Sequence, residues 1–111
     1  MRVLFDQGTP APLRHALVGH AVETAFERGW SRLENGELIA SAESAGFEVL
    51  VTTDTNLKYQ QNLRNRRIAL VVLRTASWPR VRRSLSVVVA AVASASTGSY
   101  TEVDVEPRAR G

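Results

Sequence analysis

The chain has 111 residues and contains no cysteine, so disulfide bonds, thiolate catalysis and cysteine-based zinc sites are all excluded. Its longest apolar run, from Val87 to Ala93, is much too short to cross a bilayer. No signal-peptide pattern precedes the first apolar segment, and no glycine-rich phosphate-binding fingerprint is found. We therefore expect a cytoplasmic protein with no membrane segment, of a length that fits one domain.

One long stretch of the chain has no acidic residue. Residues 1–54 carry eight acids and four bases, whereas residues 55–101 carry eight bases and no acid. These bases are Lys58, Arg64, Arg66, Arg67, Arg74, Arg80, Arg82 and Arg83. Such a stretch is either the footprint of a polyanion or a solvated basic surface. An acidic half for a metal and a basic half for phosphate would suit a nuclease.

Short apolar segments alternate with helical patterns. The patterns predict strands at residues 2–6, 20–25, 49–53, 68–73 and 100–105. They predict helices at residues 11–17, 35–45, 56–63 and 79–95, the second with Asn35 as its N-cap and Gly46 as its stop. This alternation favours a three-layer α/β/α sandwich with a mostly parallel central sheet of four to five strands. We expect residues 1–106 to form this single domain and residues 107–111 to be a flexible tail.

Two of the predicted strands end on an aspartate, Asp6 after the first and Asp54 after the third. If the first strand is central, the two strands are neighbours, and ligands of open parallel sheets sit beyond the carboxyl ends of the strands. Two close carboxylates repel each other unless a cation lies between them, and magnesium or manganese is the natural choice. The alternative is that each aspartate simply caps a following helix.

Other polar residues accompany these aspartates. Glu37, in the first turn of the second predicted helix, is the candidate third acid, unless it only complements the helix dipole. Asn56 either binds a metal-bound water or a phosphate, or caps the next helix. The hydroxyls of Thr52 and Thr53 could orient Asp54.

Four basic residues follow the predicted acidic site and are candidates for contacts with a nucleic-acid backbone. They are Lys58, Arg64, Arg66 and Arg67. Binding through such contacts would weaken as the salt concentration rises.

Three segments resemble the PIN-like proteins, and more narrowly the small PIN-like group related to VapC-type toxin ribonucleases. They are Val3-Leu4-Phe5-Asp6, Gly36-Glu37-Leu38-Ile39 and Val49-Leu50-Val51-Thr52-Thr53-Asp54-Thr55-Asn56-Leu57. The resemblance covers roughly residues 2–75. It implies an α/β/α fold with a parallel sheet, and an acidic cluster that binds magnesium or manganese and cleaves RNA.

Carried over to this chain, the resemblance makes Asp6, Glu37 and Asp54 the metal-binding and catalytic acids. Asn56 stands in place of a fourth acid, and Gln7 follows Asp6 where close relatives often have another acid. A small antitoxin protein that covers the acidic cleft, and a second copy of the chain, are the partners that the resemblance implies.

Two alternatives remain open at this point. The first is a PIN-like module that binds nucleic acid or protein without turnover, motivated by the missing fourth acid. The second is a response-regulator-like or flavodoxin-like domain, which also has acids at its strand ends. A receiver needs an acid pair near the first strand and a lysine after a later one. This chain has Asp6-Gln7 and Leu73-Arg74 there, which disfavours that function.

Overall fold

Parallel strands form the centre of the protein, whose computed structural model describes residues 1–57 and 66–104. The strands are β1 (Arg2–Phe5), β2 (Ala21–Thr24), β3 (Val49–Thr52), β4 (Ala69–Leu73) and β5 (Tyr100–Val103). The helices are a 3₁₀ helix (Ala11–Ala16), α1 (Asn35–Ser44), α2 (Trp78–Arg83) and α3 (Leu85–Ala93). Most of the predicted helix at residues 56–63, and the predicted tail at residues 107–111, lie outside the described residues.

The sheet has the strand order β2-β1-β3-β4-β5, and all the paired strands are parallel. Strand β1 lies between β2 and β3, so that Phe5 is in register with Thr24 on one side and with Val51 on the other. The chain therefore adds its second strand on one side of β1 and its third on the other. The predicted parallel α/β architecture is confirmed, and the order creates a topological switch point between β1 and β3.

Helices cover both faces of the sheet because alternate strand residues point to opposite sides. On one face, Phe5 and Val51 pack in a core cluster with Leu13 of the 3₁₀ helix, Val81 of α2 and Val88 of α3. The opposite face is covered by α1. Its core cluster contains Leu4, Leu50, Leu70, Leu38 and Ile39. Every residue of β3 and β4 is buried, as expected for strands inside a parallel sheet.

The last predicted helix is interrupted. The patterns predict one helix over residues 79–95, but α2 ends at Arg83 and α3 begins at Leu85. Between them Ser84 leaves the helical region, with φ −125° and ψ 31°, and its N–H donates to the carbonyl of Val81 at 2.9 Å. The apolar spacing survives this break, since Val81, Val88 and Val92 are all buried, and so the spacing alone did not reveal it.

The ends of α1 agree closely with the predicted ones. Its N-cap is Glu34, one residue before the predicted Asn35, with an extended backbone at φ −87° and ψ 171°. Gly46 follows the helix with a positive φ of 87°, which a residue without a Cβ adopts at little cost. The stop at Gly46 is therefore where the sequence predicts it.

A search of the described residues for membrane-spanning segments found no helix of sufficient length and apolarity.

Candidate functional site at the carboxyl edge of β1 and β3

Asp6 follows β1 and is held by hydrogen bonds from two threonines. Its Oδ1 accepts a hydrogen bond from the hydroxyl of Thr9 at 2.7 Å, and its Oδ2 accepts one from the hydroxyl of Thr52. Both threonines are buried, with exposed fractions of 6% and 2%. The N–H of Asp6 also donates to the carbonyl of Val51 on β3 at 3.0 Å. The carboxylate is therefore fixed in position against the neighbouring strand.

Asp54 lies just beyond β3 and is held by two asparagines. Its Oδ1 accepts the backbone N–H of Asn56 at 2.9 Å, and its Oδ2 accepts a hydrogen bond from the side-chain amide of Asn35. Its own N–H donates to the hydroxyl of Thr52 at 3.1 Å. Because that hydroxyl also donates to Asp6, Thr52 connects the two aspartates. The adjacency of the two acid-bearing strands is confirmed.

Glu37 occupies a different kind of position. Its carboxylate accepts the backbone N–H of Glu34 at 3.2 Å, which is part of a capping box at the start of α1. Within residues 1–57 and 66–104, no group of three or more histidine, cysteine, aspartate or glutamate side chains is arranged to hold a metal. Glu37 as a third metal-binding acid stays a prediction.

The other predicted residues near the aspartates have distinct environments. Asn56 is exposed and contacts Asp54 through its backbone N–H. The hydroxyl of Thr52 donates to the carboxylate of Asp6. It contacts Asp54 only at the backbone N–H of that residue, and so it does not orient the Asp54 carboxylate. Thr53 lies close to Gly8, where an added Cβ would approach the threonine hydroxyl to 2.7 Å. The Gly8 turn can therefore pass close to β3 because it has no side chain.

The predicted nucleic-acid contacts are not all beside the aspartates. Arg66 and Arg67 come directly before β4, at the amino edge of the parallel sheet, whereas Asp6 and Asp54 lie at the carboxyl edge. Arg66 pairs with Glu43, with 3.1 Å between Nη1 and Oε1. Lys58 and Arg64 lie outside the described residues.

Glu43 is the centre of this amino-edge network. Its Oε2 accepts the backbone N–H groups of Arg67 at 2.7 Å and Ile68 at 3.2 Å. Burial alone would raise its pKa, but these hydrogen bonds and the Arg66 guanidinium outweigh burial and lower the pKa of Glu43 from its usual value. The network fixes the start of β4 to the end of α1.

The bases that follow β4 belong to the predicted basic stretch but were not among the four predicted nucleic-acid contacts. Arg74 comes directly after β4 and pairs with Glu102 at 3.6 Å and Asp104 at 3.5 Å. Arg80 and Arg82 are exposed on α2, the next element. The available signal was their position in the chain, because residues that follow a parallel strand start from the same sheet edge as Asp6 and Asp54.

A cavity of about 310 Å³ lies beside Asp6. Its lining includes Gln7, Arg14, Phe26 and Glu27. Arg14 forms a two-pronged pair with Glu27, at 2.9 and 3.1 Å, and donates to the carbonyl of Val22 at 2.8 Å. The Arg14 hydrogen bonds, together with the backbone N–H of Thr24, lower the pKa of Glu27 to about 2.

Comparison of the chain with protein-family models, curated proteins and solved structures found no match. The resemblance to PIN-like proteins therefore stays a prediction.

Proposed function

We propose that this protein is a metal-dependent ribonuclease that uses magnesium or manganese at the carboxyl edge of β1 and β3. The observation that carries the proposal is the linkage of Asp6 to Asp54 through the hydroxyl of Thr52. The two aspartates follow the strands that flank the switch point of the sheet, where open α/β folds bind their ligands.

The hydrogen bonds at the two aspartates leave room for a cation. A carboxylate has about four lone-pair sites. Both oxygens of Asp6 accept a threonine hydroxyl, and both oxygens of Asp54 accept an asparagine N–H. Magnesium commonly binds through one or two carboxylates and keeps several waters for exchange with phosphate oxygens. Two aspartates therefore supply as many carboxylates as such an ion commonly binds.

Each residue of the site has a specific task in this proposal. Asp6 and Asp54 bind the ion, which when bound would lower the pKa of a water molecule and offset charge on the phosphodiester. Thr52 and Thr9 hold the carboxylate of Asp6, and Asn35 holds that of Asp54. Such outer partners orient metal ligands.

The choice of RNA as substrate rests on the PIN-like resemblance and on the acid-free basic stretch of residues 55–101. A small antitoxin partner, a second copy of the chain and a cytoplasmic location belong to the same proposal and rest on the sequence.

A second candidate function is a PIN-like module that binds nucleic acid or protein without turnover. The observation in its favour is the capping role of Glu37, whose carboxylate accepts the N–H of Glu34. Metal affinity separates the two functions, because an inactive module should bind manganese poorly and RNA through charge alone.

The test is calorimetry of manganese binding to the unmodified protein, Asp6→Asn and Asp54→Asn. Glu48→Gln is the matched control, because Glu48 lies before β3 at the opposite edge and bonds the N–H of Arg2 at 2.8 Å. Micromolar binding that both aspartate substitutions abolish and Glu48→Gln keeps would support the nuclease, and manganese-dependent RNA cleavage with the same dependence would complete the case. An unmodified protein that binds no manganese would contradict the nuclease and favour the module.

A further inference from the structure

Phe26 is a large aromatic side chain that the fold leaves 75% exposed. The other described phenylalanines, Phe5 and Phe47, are buried with exposed fractions of 0% and 4%. Phe26 belongs to the lining of the cavity that also contains Asp6. Core packing therefore does not explain why an aromatic side chain lies in solvent next to the proposed metal site.

The turn that carries Phe26 is held by several hydrogen bonds. The N–H of Thr24 donates to Oε1 of Glu27 at 3.0 Å, and the N–H of Glu27 donates back to the hydroxyl of Thr24 at 3.1 Å. Arg14 clamps Glu27 from the 3₁₀ helix. The backbone on both sides of Phe26 is thereby fixed, so a planar ligand stacking on its ring meets a surface that is already in place.

The charges around the cavity favour an uncharged ligand. Both terminal nitrogens of the Arg14 guanidinium already donate hydrogen bonds, to Glu27 and to the carbonyl of Val22. They are therefore not available for a two-pronged contact with a phosphate. The carboxylate of Asp6 would repel a phosphate that entered the cavity without a cation. Gln7 is exposed and carries an amide that can both donate and accept hydrogen bonds, as the edge of a nucleobase requires.

We propose that this cavity binds one unpaired nucleobase of single-stranded RNA, stacked on Phe26 with its edge facing Gln7. The proposal rests on the proposed function for its choice of RNA, and it names the form of the substrate. With the base against Phe26, the backbone phosphate lies on the Asp6 side of the cavity, where a bound metal would offset the charge of the carboxylate. Proteins that bind single strands commonly stack bases on aromatic side chains in this way. A volume of about 310 Å³ is at the small end of ligand cavities, which suits one base.

The test measures binding of fluorescent RNA 12-mers by anisotropy in EDTA, where neither metal binding nor cleavage contributes. The proteins are the unmodified chain, Phe26→Ala, Phe26→Trp and the control Val18→Ala, which trims another exposed apolar side chain (86% exposed) outside the cavity. The probes are oligouridine, oligoadenosine and an abasic ribose-phosphate chain of the same length. Because Phe26 is exposed, Phe26→Ala should fold normally, which thermal denaturation checks.

We expect Phe26→Ala to weaken binding of both base-bearing probes by about ten-fold, while Phe26→Trp and Val18→Ala keep it. The abasic chain should bind the unmodified protein and Phe26→Ala equally. If Phe26→Ala binds oligouridine and oligoadenosine as tightly as the unmodified protein does, the base site is overturned. The occupant of the cavity would then be an apolar side chain of a protein partner. Loss of abasic binding in Phe26→Ala would also overturn the base site, and so would a lack of any RNA binding both in EDTA and in a repeat of the assay with manganese.

The two proposals fail separately. Manganese-dependent cleavage that is unchanged by Phe26→Ala, with equal RNA affinity, removes the base site and keeps the nuclease. RNA binding that depends on Phe26 in a protein that binds no manganese removes the nuclease and keeps the base site.

Discussion

Thr52 and Asp6 are hydrogen-bonded through their side chains across the gap between β3 and β1. The same hydroxyl accepts the N–H of Asp54 at 3.1 Å, so it donates in one direction and accepts in the other. Thr52 is only 2% exposed, which leaves little room for water to replace it. One buried hydroxyl group therefore contacts both aspartates.

Thr52→Val removes this hydroxyl while keeping a β-branched side chain. We expect a loss of about 1–3 kcal/mol in the free energy of unfolding, because the Asp54 N–H loses its partner in a partly buried site. Manganese affinity should fall by about ten-fold or more, because Asp6 loses an orienting hydrogen bond. Urea denaturation and calorimetry measure the two effects. The control is Thr53→Val, and equal behaviour of the two variants would argue against a special role for Thr52.

Asn35→Ala removes the side-chain donor to Oδ2 of Asp54. Substitution of such an outer partner typically lowers metal affinity by about 10- to 100-fold, and we expect a loss in this range. Asn56→Ala is the matched control, because Asn56 contacts Asp54 through its backbone N–H, which the substitution keeps. Calorimetry with manganese compares the two. A large loss in Asn56→Ala alone would instead favour Asn56 as a binder of metal-bound water.

Arg14→Gln should raise the pKa of Glu27. In the unmodified protein that pKa is about 2, and the hydrogen bond from Arg14 is the largest cause. The pairing stabilises the fold fully above the usual pKa of 4.5, and this contribution is lost as the pH falls through 2. Titration of the Glu27 carboxyl by NMR should show a midpoint closer to 4.5 in the variant. An unchanged midpoint would mean that the backbone of Thr24 alone holds the carboxylate.

Glu43→Gln tests the network at the amino edge. Glu43 accepts hydrogen bonds from the N–H groups of Arg67 and Ile68 and pairs with Arg66. Above pH 5 we expect the variant to be less stable by about 1–3 kcal/mol. Since the pKa of Glu43 is lowered by folding, this difference should shrink as the pH falls below 4.5. Urea denaturation from pH 7 to pH 3 measures it, and a difference that stays constant would contradict the assignment. Manganese affinity should not change.

Local patterns were sufficient to predict the strands, and they placed Asp6 and Asp54 on neighbouring strands on the condition that β1 is central, which it is. Each strand is a short apolar run, and a parallel sheet brings the ends of neighbouring strands to one edge. They were not sufficient for Glu37. A glutamate in the first turn of a helix can point toward a site or back to the cap, and only the folded chain shows that it bonds the N–H of Glu34.

The break at Ser84, the contact of Asn35 with Asp54 and the exposure of Phe26 were also beyond the sequence. The backbone turn at Ser84 keeps the apolar spacing intact, and the bond from Asn35 to Asp54 joins elements that are 19 residues apart. Exposure of Phe26 depends on how the Thr24–Glu27 turn sits on the 3₁₀ helix. The sequence also contained the signal for the location of Arg66 and Arg67, because residues that precede a parallel strand lie at its amino end, but the prediction grouped them with the aspartates at the other edge.

The shared direction of the strands places the Glu43 network and the two aspartates at opposite ends of the sheet. A four-residue strand such as β3 is about 13 Å long, which exceeds the screening distance of about 8 Å in physiological salt. Buffer ions weaken the part of the interaction that passes through water, but they do not screen the part that passes through the buried strands between the two ends. A dye, a tether or an affinity tag attached near Glu48 should therefore alter the potential felt by a cation at Asp6 less than the same group attached near Asp54.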